Sequence, residues 1–378
     1  MLDDLLADIP LMIMATGALV GTAATLVGVF LVLRRNSMLS DAISHSIVFG
    51  IVVVWLLTHQ QSGPVQILGA ALAGVLTVFL TELLVNTRKV KDDAAIGLVF
   101  PVLFSVGVLL LNLHARDVHI DTHTVLLGEI GFIWLNTLTI AGHEVPRALV
   151  WMSLVTFVNG AFVFLFFKEL KLATFDPALA RALGFAPTAL FYALLMLTST
   201  TAVAAFDSVG AVLFIAFVIV PPSTAYLLTD RLPRMIAIGI LTSVASSVLG
   251  YHLAVLLDVS IGGMMAVMTG VFLAAAFLFG PRYGLLAQSW MHLNQRYVNE
   301  SRALVVHLYN DEAAAGGSDA NVIPALRDRL QWSERKVRHV VQRSLRLGFV
   351  LRDGMRLHLT AKGRRVAAEL LEPWAARE

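Results

Sequence analysis

Nine stretches of about 20 mostly apolar residues, each long enough to cross a bilayer, fill the first 280 residues of this 378-residue chain. They lie near 10–33, 39–58, 64–86, 95–113, 146–167, 188–206, 209–228, 234–257 and 261–279, and residues 206–210 suit a kink between two of them. No soluble fold can hide that much continuous apolar sequence. The expected architecture is therefore an all-α polytopic membrane protein over this region. Composition agrees, since 57% of the chain is hydrophobic and 14% charged, against roughly a quarter charged in soluble domains. The start MLDDLLADIP is acidic and lacks the basic segment and cleavage site of a signal peptide, so it reads as mature sequence. With no cysteine, thiolate metal sites and disulfides are excluded.

Charge divides the chain in two. Residues 1–280 carry 12 Lys and Arg against 16 Asp and Glu, while residues 281–378 carry 16 against 10. Domains are expected at 1–284 in the membrane and 299–378 outside it, joined by a linker over 285–298. The positive loops Arg34-Arg35, Arg88 to Lys91, Lys168 to Arg181 and Arg231 to Arg234 follow spans one, three, five and seven. By the positive-inside rule all four are cytoplasmic, and so is the tail. The segment 114–145 then lies outside and reads as an interfacial or re-entrant stretch.

Polar residues inside spans are costly and so informative. Asp41 and His45 in MLSDAISHSIVFG are four apart and share a helix face, extended by Ser37, Ser40 and Ser44. Glu82 lies about one turn from the cytoplasmic end of the third span, at a depth similar to Asp41. Two carboxylates and an imidazole suit a divalent cation such as manganese, iron or zinc. A hydrogen-bond network that only fixes helix packing suits the same residues. In the cytoplasmic loop, Asp176 can cap, Pro177 can open and Gly184 can end a short helix over 177–183, a form suited to docking or to a plain connector. His114, His119 and His123 crowd the external loop, where they suit metal recruitment or simple solvation.

The segments MLSDAISHSIVFGIVV, TRKVKDDAAIGLVFPVLFSVGVLLL, FKELKLATFDPALARALGF, SVGAVLFIAFVIVPPSTAYLLTDRL and LDVSIGGMMAVMTG resemble the permease subunits of manganese/zinc/iron-type ABC importers, over about residues 10–280. The resemblance implies a fold like that of type II ABC importer permeases and a homodimer of permeases in the bacterial inner membrane. It also implies separate ABC ATPase subunits and a periplasmic or surface metal-binding protein. Asp41 and His45 match the family's metal-pathway element, and Glu82 matches it more loosely. Ala173, Thr174, Phe175, Asp176, Pro177, Arg181 and Gly184 match its ATPase-coupling loop. The chain contains no phosphate-binding GxxxxGK[ST] loop, as expected of a permease that is not itself an enzyme. The metal is then cargo, with no resident cofactor. Carboxylate and imidazole without thiolate lean toward manganese over zinc or iron.

The tail departs from this pattern. Helices near 299–312, 322–330 and 333–347, a hairpin turning at Asp353-Gly354 and a last helix in AKGRRVAAELL resemble a small α+β winged helix. Arg335, Lys336, Arg338, Arg343 and Arg346 make its second helix basic. Contact with anionic lipid or a partner subunit is the favoured reading, with nucleic acid disfavoured because the tail is tethered to a membrane. The rival function is a membrane-tethered, metal-sensing transcriptional regulator.

Overall fold

A computed structural model describes residues 8–59, 64–114, 130–140, 143–281, 284–313 and 322–375. The chain forms two compact units, residues 1–284 and 285–378. In hydrocarbon every backbone N–H and C=O must be satisfied within the chain, so apolar runs of this length become helices. Among the described residues nine are long and apolar enough to span. They are α1 (Ile9–Leu33), α2 (Met38–Thr58), α3 (Pro64–Asn86), α4 (Asp92–His114), α5 (Arg147–Leu165), the two halves of α8 (Pro187–Leu228), α9 (Leu232–Leu257) and α10 (Ile261–Phe279). The expected number of spans is met. Between α5 and α8 lie the short helices α6 (Phe167–Phe175) and α7 (Pro177–Ala182).

The 42 residues of α8 would extend about 63 Å as one straight helix, twice the hydrocarbon thickness. Gly210 breaks it with φ +80°, ψ 168°, a conformation open to glycine and strained for other residues. The rings of Phe206 and Phe214, eight residues apart, meet edge to face at 5.9 Å. On a straight helix their backbones would be about 12 Å apart, so the chain folds back at Gly210.

Helix α1 is the buried centre of the unit and packs on α5, α8, α9 and α10. Lipid is as apolar as leucine, so these helices associate through close backbone approach and polar contacts rather than hydrophobic exclusion. Gly17, Gly21 and Gly28 supply the approach: a Cβ at Gly21 would lie 2.7 Å from Ser243 Cβ, and one at Gly28 only 2.1 Å from the Val218 carbonyl oxygen. Thr25 and Ser243 hydroxyls meet at 2.7 Å. Asn159 on α5 donates to the Ala23 carbonyl at 3.2 Å and to Thr201 at 2.8 Å, tying three helices together. Gly28→Leu is expected to abolish the folded membrane unit, because the contact is to backbone and cannot yield; overpacking alone costs about 1–3 kcal/mol. Thermal unfolding in detergent checks this against Gly97→Ala, whose added Cβ meets nothing within 4 Å and whose melting temperature should match wild type.

The segment between α4 and α5 contains a 3-10 turn, Ile130–Leu135, with Ile130 and Ile133 buried, and the antiparallel hairpin β1 (Thr137–Ile140) and β2 (His143–Pro146). The second unit comprises α11 (Leu285–Ala313), α12 (Ile323–Arg329), α13 (Glu334–Arg346), the antiparallel pair β3 (Val350–Asp353) and β4 (Arg356–Leu359), and α14 (Ala361–Ala375). Residues 285–298, expected as a linker, are the first half of α11. Leu304, Leu308, Leu326, Val337, Val340, Val341, Leu357 and Leu359 form this unit's own core. The hairpin turns on Gly354-Met355, one residue beyond the expected Asp353-Gly354. The reason is that Gly354 takes the left-handed φ of +57° while Asp353 stays paired with Arg356.

Candidate metal pathway and coupling segment

Asp41 and His45 lie in the first two turns of α2, where the i, i+4 spacing brings His45 Nε2 to 3.5 Å from Asp41 Oδ1. The Phe100 ring of α4 stacks on the imidazole at 5.5 Å, and Phe104 meets it edge-on at 6.1 Å. These two rings pin the imidazole without competing for its nitrogens. The side chains of His45 and Asp41 are nevertheless 35% and 38% exposed. An ionised carboxylate facing lipid costs about 2.5–3.5 kcal/mol on insertion scales. The open side of this pair therefore suits a water-filled path or a second protein chain. The serines of the same stripe do something else. Ser40 and Ser44 donate to the carbonyls of Ser37 and Ser40 on their own helix, at 2.6 and 2.7 Å.

Glu82 sits one turn before the end of α3, as its position in the sequence suggested, but its carboxylate accepts a hydrogen bond from Tyr192 O–H on α8. Among the described residues no three His, Asp or Glu side chains converge on a point where a cation could sit, so Glu82 does not complete a three-ligand group with Asp41 and His45. Arg34, the residue closing α1, lies with its guanidinium 4.1 Å over the Phe191 ring. Burial pulls the Arg34 pKa below its usual range, and the nearby Glu82 charge opposes that shift. Phe191 and Tyr192 carried no local signal in the sequence, and Arg34 stood out only as part of a positive loop. Tyr192 is 110 residues from Glu82, and only the fold brings them together.

The segment between α5 and α8 is built as its residues suggest. Asp176 caps α7 by accepting from Leu179 N–H at 2.9 Å, and Pro177 occupies the first helical position. Helix α7 ends at Ala182, one residue before the expected end. Gly184 takes φ +86°, Gly184 N–H donates to Arg181 O and Phe185 N–H to Ala180 O, both at 3.0 Å. This left-handed closure satisfies carbonyls that a straight end would leave open. Ala173 and Ala180 are buried against the unit, while Phe175, Leu179, Leu183 and Phe185 are exposed. Thr174 is half-buried and Arg181 is exposed, with its Nε donating back to the Pro177 carbonyl at 3.3 Å. The segment thus presents four large apolar side chains outward from a rigid, doubly capped turn. His114 ends α4 and is exposed; His119 and His123 lie outside the described residues.

The chain is similar to the zinc transport system membrane protein TroD of Treponema pallidum, 43% identical over 93% of this chain and 96% of that one. It is 46% identical to the manganese transport system membrane protein MntD of Bacillus subtilis, over 75% of this chain and 96% of MntD. The TroD match extends into the second unit. The MntD match is nearly complete for MntD with 285 residues, which is the length of the first unit alone. Among solved structures, the chain resembles one described as PsaBC from Streptococcus pneumoniae in complex with Fab, with TM-score 0.63, 26% identity and coverage of 76% of this chain and 98% of that one. The model of the ABC 3 transport family matches residues 8–280, the whole of the nine-span unit, and by that match and these relatives the chain belongs to the ABC 3 transport family.

Proposed function

We propose that this chain is the membrane-spanning subunit of an ATP-driven importer that moves divalent transition-metal ions into the cytoplasm, with manganese favoured over zinc and iron. One observation carries the reading. A carboxylate–imidazole pair sits open inside a span, in a chain whose relatives are named as zinc and manganese transport membrane proteins. Hard and borderline ligands without thiolate suit manganese. Asp41 and His45 supply protein ligands on the path, and a second copy of the chain closes the open side of the pair. A binding protein outside the membrane delivers the ion.

The sequence has no phosphate loop, so hydrolysis belongs to separate ATPase subunits. Their dock is the exposed face of Phe175, Leu179, Leu183 and Phe185, with Arg181 at its edge. The second unit is read as a cytoplasmic, winged-helix-like module that adjusts transport rather than reading DNA. The relatives named above are transport-system membrane proteins, which lends no support to a tethered transcriptional regulator.

The test is reconstitution. The chain, co-expressed with ABC ATPase subunits and placed in proteoliposomes, should accumulate Mn²⁺ only with ATP inside the coupled complex and faster with the metal-loaded binding protein. Accumulation that follows a proton gradient and ignores nucleotide would replace this reading with that of a secondary carrier.

A further inference from the structure

Four side chains from three helices meet where α1 and α3 end and α8 begins. Glu82 accepts from Tyr192, Arg34 lies on Phe191, and the two aromatic residues are neighbours in the first turns of α8. The Glu82 charge acts on the Arg34 guanidinium. We propose that Arg34, Glu82, Phe191 and Tyr192 form a clamp that transmits movement of the coupling helix α7 to the Asp41–His45 pair. The inference rests on the transport function proposed above and assigns to Glu82 a positioning role in place of a metal ligand's.

From α7 to the clamp the chain runs through Leu183–Ala186, and this turn is rigid because Phe185 N–H is bonded to Ala180 O and Gly184 N–H to Arg181 O. From the clamp to the metal pair the chain runs through Arg34-Arg35-Asn36. There Asn36 N–H donates to Leu31 O at 2.9 Å, Arg35 N–H to Val32 O at 3.0 Å, and Arg35 takes φ +60°. Both turns close in the same six-residue, left-handed manner, which leaves little freedom for either to absorb a displacement. Asp41 follows Arg34 by seven residues. Helix α8 packs on both α1 and α2, and at the level of the two turns the clamp side chains join them.

The chemistry of the clamp suits a joint that must hold and yield. A hydrogen bond to a carboxylate and a cation lying on a ring are both stronger where water is scarce. Each is directional, so rotation of the first turns of α8 changes both together. A network that served packing alone would not need two opposite charges at a membrane edge, where apolar side chains of the same size would be cheaper to place.

The experiment uses the full transporter in proteoliposomes, with Mn²⁺ as the probe, delivered by its binding protein. ATP hydrolysed per ion accumulated is measured together with the KM for the loaded binding protein and the affinity of the detergent-solubilised complex for Mn²⁺. Tyr192→Phe removes one hydroxyl and leaves the ring. It should raise ATP consumed per Mn²⁺ by about tenfold, the scale of one lost hydrogen bond to a charged group, with KM, Mn²⁺ affinity and assembly unchanged. Arg34→Lys keeps the charge and loses the flat guanidinium on Phe191, and should move the ratio in the same direction. Glu82→Gln keeps an acceptor for Tyr192 and should restore most of the coupling that Glu82→Ala loses. A wild-type ratio in both Tyr192→Phe and Arg34→Lys would overturn the clamp. So would loss of Mn²⁺ affinity in Glu82→Gln, since that would make Glu82 a ligand. A wild-type complex that accumulates no metal with ATP would instead remove the transport function, and the clamp with it.

Discussion

Replacing Asp41 or His45 with alanine is expected to lower ATP-driven metal uptake by about 100-fold or more, since loss even of outer-shell groups at metal sites costs about 10–100-fold. The protein should still insert, assemble and bind its ATPase. Both side chains are more than a third exposed, so truncation removes little buried volume. His45 adds only its ring contacts with Phe100 and Phe104. Ser44→Ala is the matched control: it removes a polar group from the same face whose hydroxyl is spent on the Ser40 carbonyl, and uptake should stay near wild type. Initial rates of Mn²⁺ entry into proteoliposomes, with size-exclusion profiles of each variant, check the prediction. Wild-type uptake by both alanine variants would remove the pair from the pathway.

Gly184→Pro is expected to disconnect ATP hydrolysis from uptake. Proline holds φ near −65° and has no N–H, whereas Gly184 needs φ +86° and donates to Arg181 O. The closing turn of α7 cannot survive that change, because it needs both the left-handed φ and the N–H that proline lacks. The nine spans do not depend on the turn, so insertion and assembly should persist. Hydrolysis should lose its stimulation by the loaded binding protein while Mn²⁺ entry falls to background. Arg181→Glu probes the docking face without breaking the backbone, because Arg181 is exposed and donates back to the Pro177 carbonyl of its own helix. It should lower the stimulated rate by weakening contact with the ATPase. Full stimulation and full uptake in both variants would show that α7 is a plain connector.

Features confined to one helix or one turn were open to reading from the chain. The spans are legible because burial in hydrocarbon depends on a run of side chains, not on neighbours in space. The α7 cap is legible because Asp176, Pro177 and Gly184 act on backbone within four residues. The Asp41–His45 pair is legible for the same reason, since helical periodicity alone places it. Ser40 and Ser44 shared that periodicity, yet in the structure their hydroxyls turn onto their own helix. Periodicity gives a face and not a rotamer.

Glu82 marks where local reading ends. Its depth followed from its distance to the end of α3, but depth left its partner open, and the partner is Tyr192 on a helix that begins a hundred residues later. The same holds for Arg34 on Phe191 and for Gly28 beneath Val218 O. The sequence by itself determined the membrane unit, its number of spans, the turn closing at Gly184 and the shared face of Asp41 and His45, because each is set by hydrophobicity or by backbone chemistry over a few residues. Only the tertiary structure decided which helices touch, where α8 turns back, and what holds Glu82 and Arg34. Those outcomes depend on close packing between segments far apart in the chain, and no one-dimensional pattern encodes a distance between them.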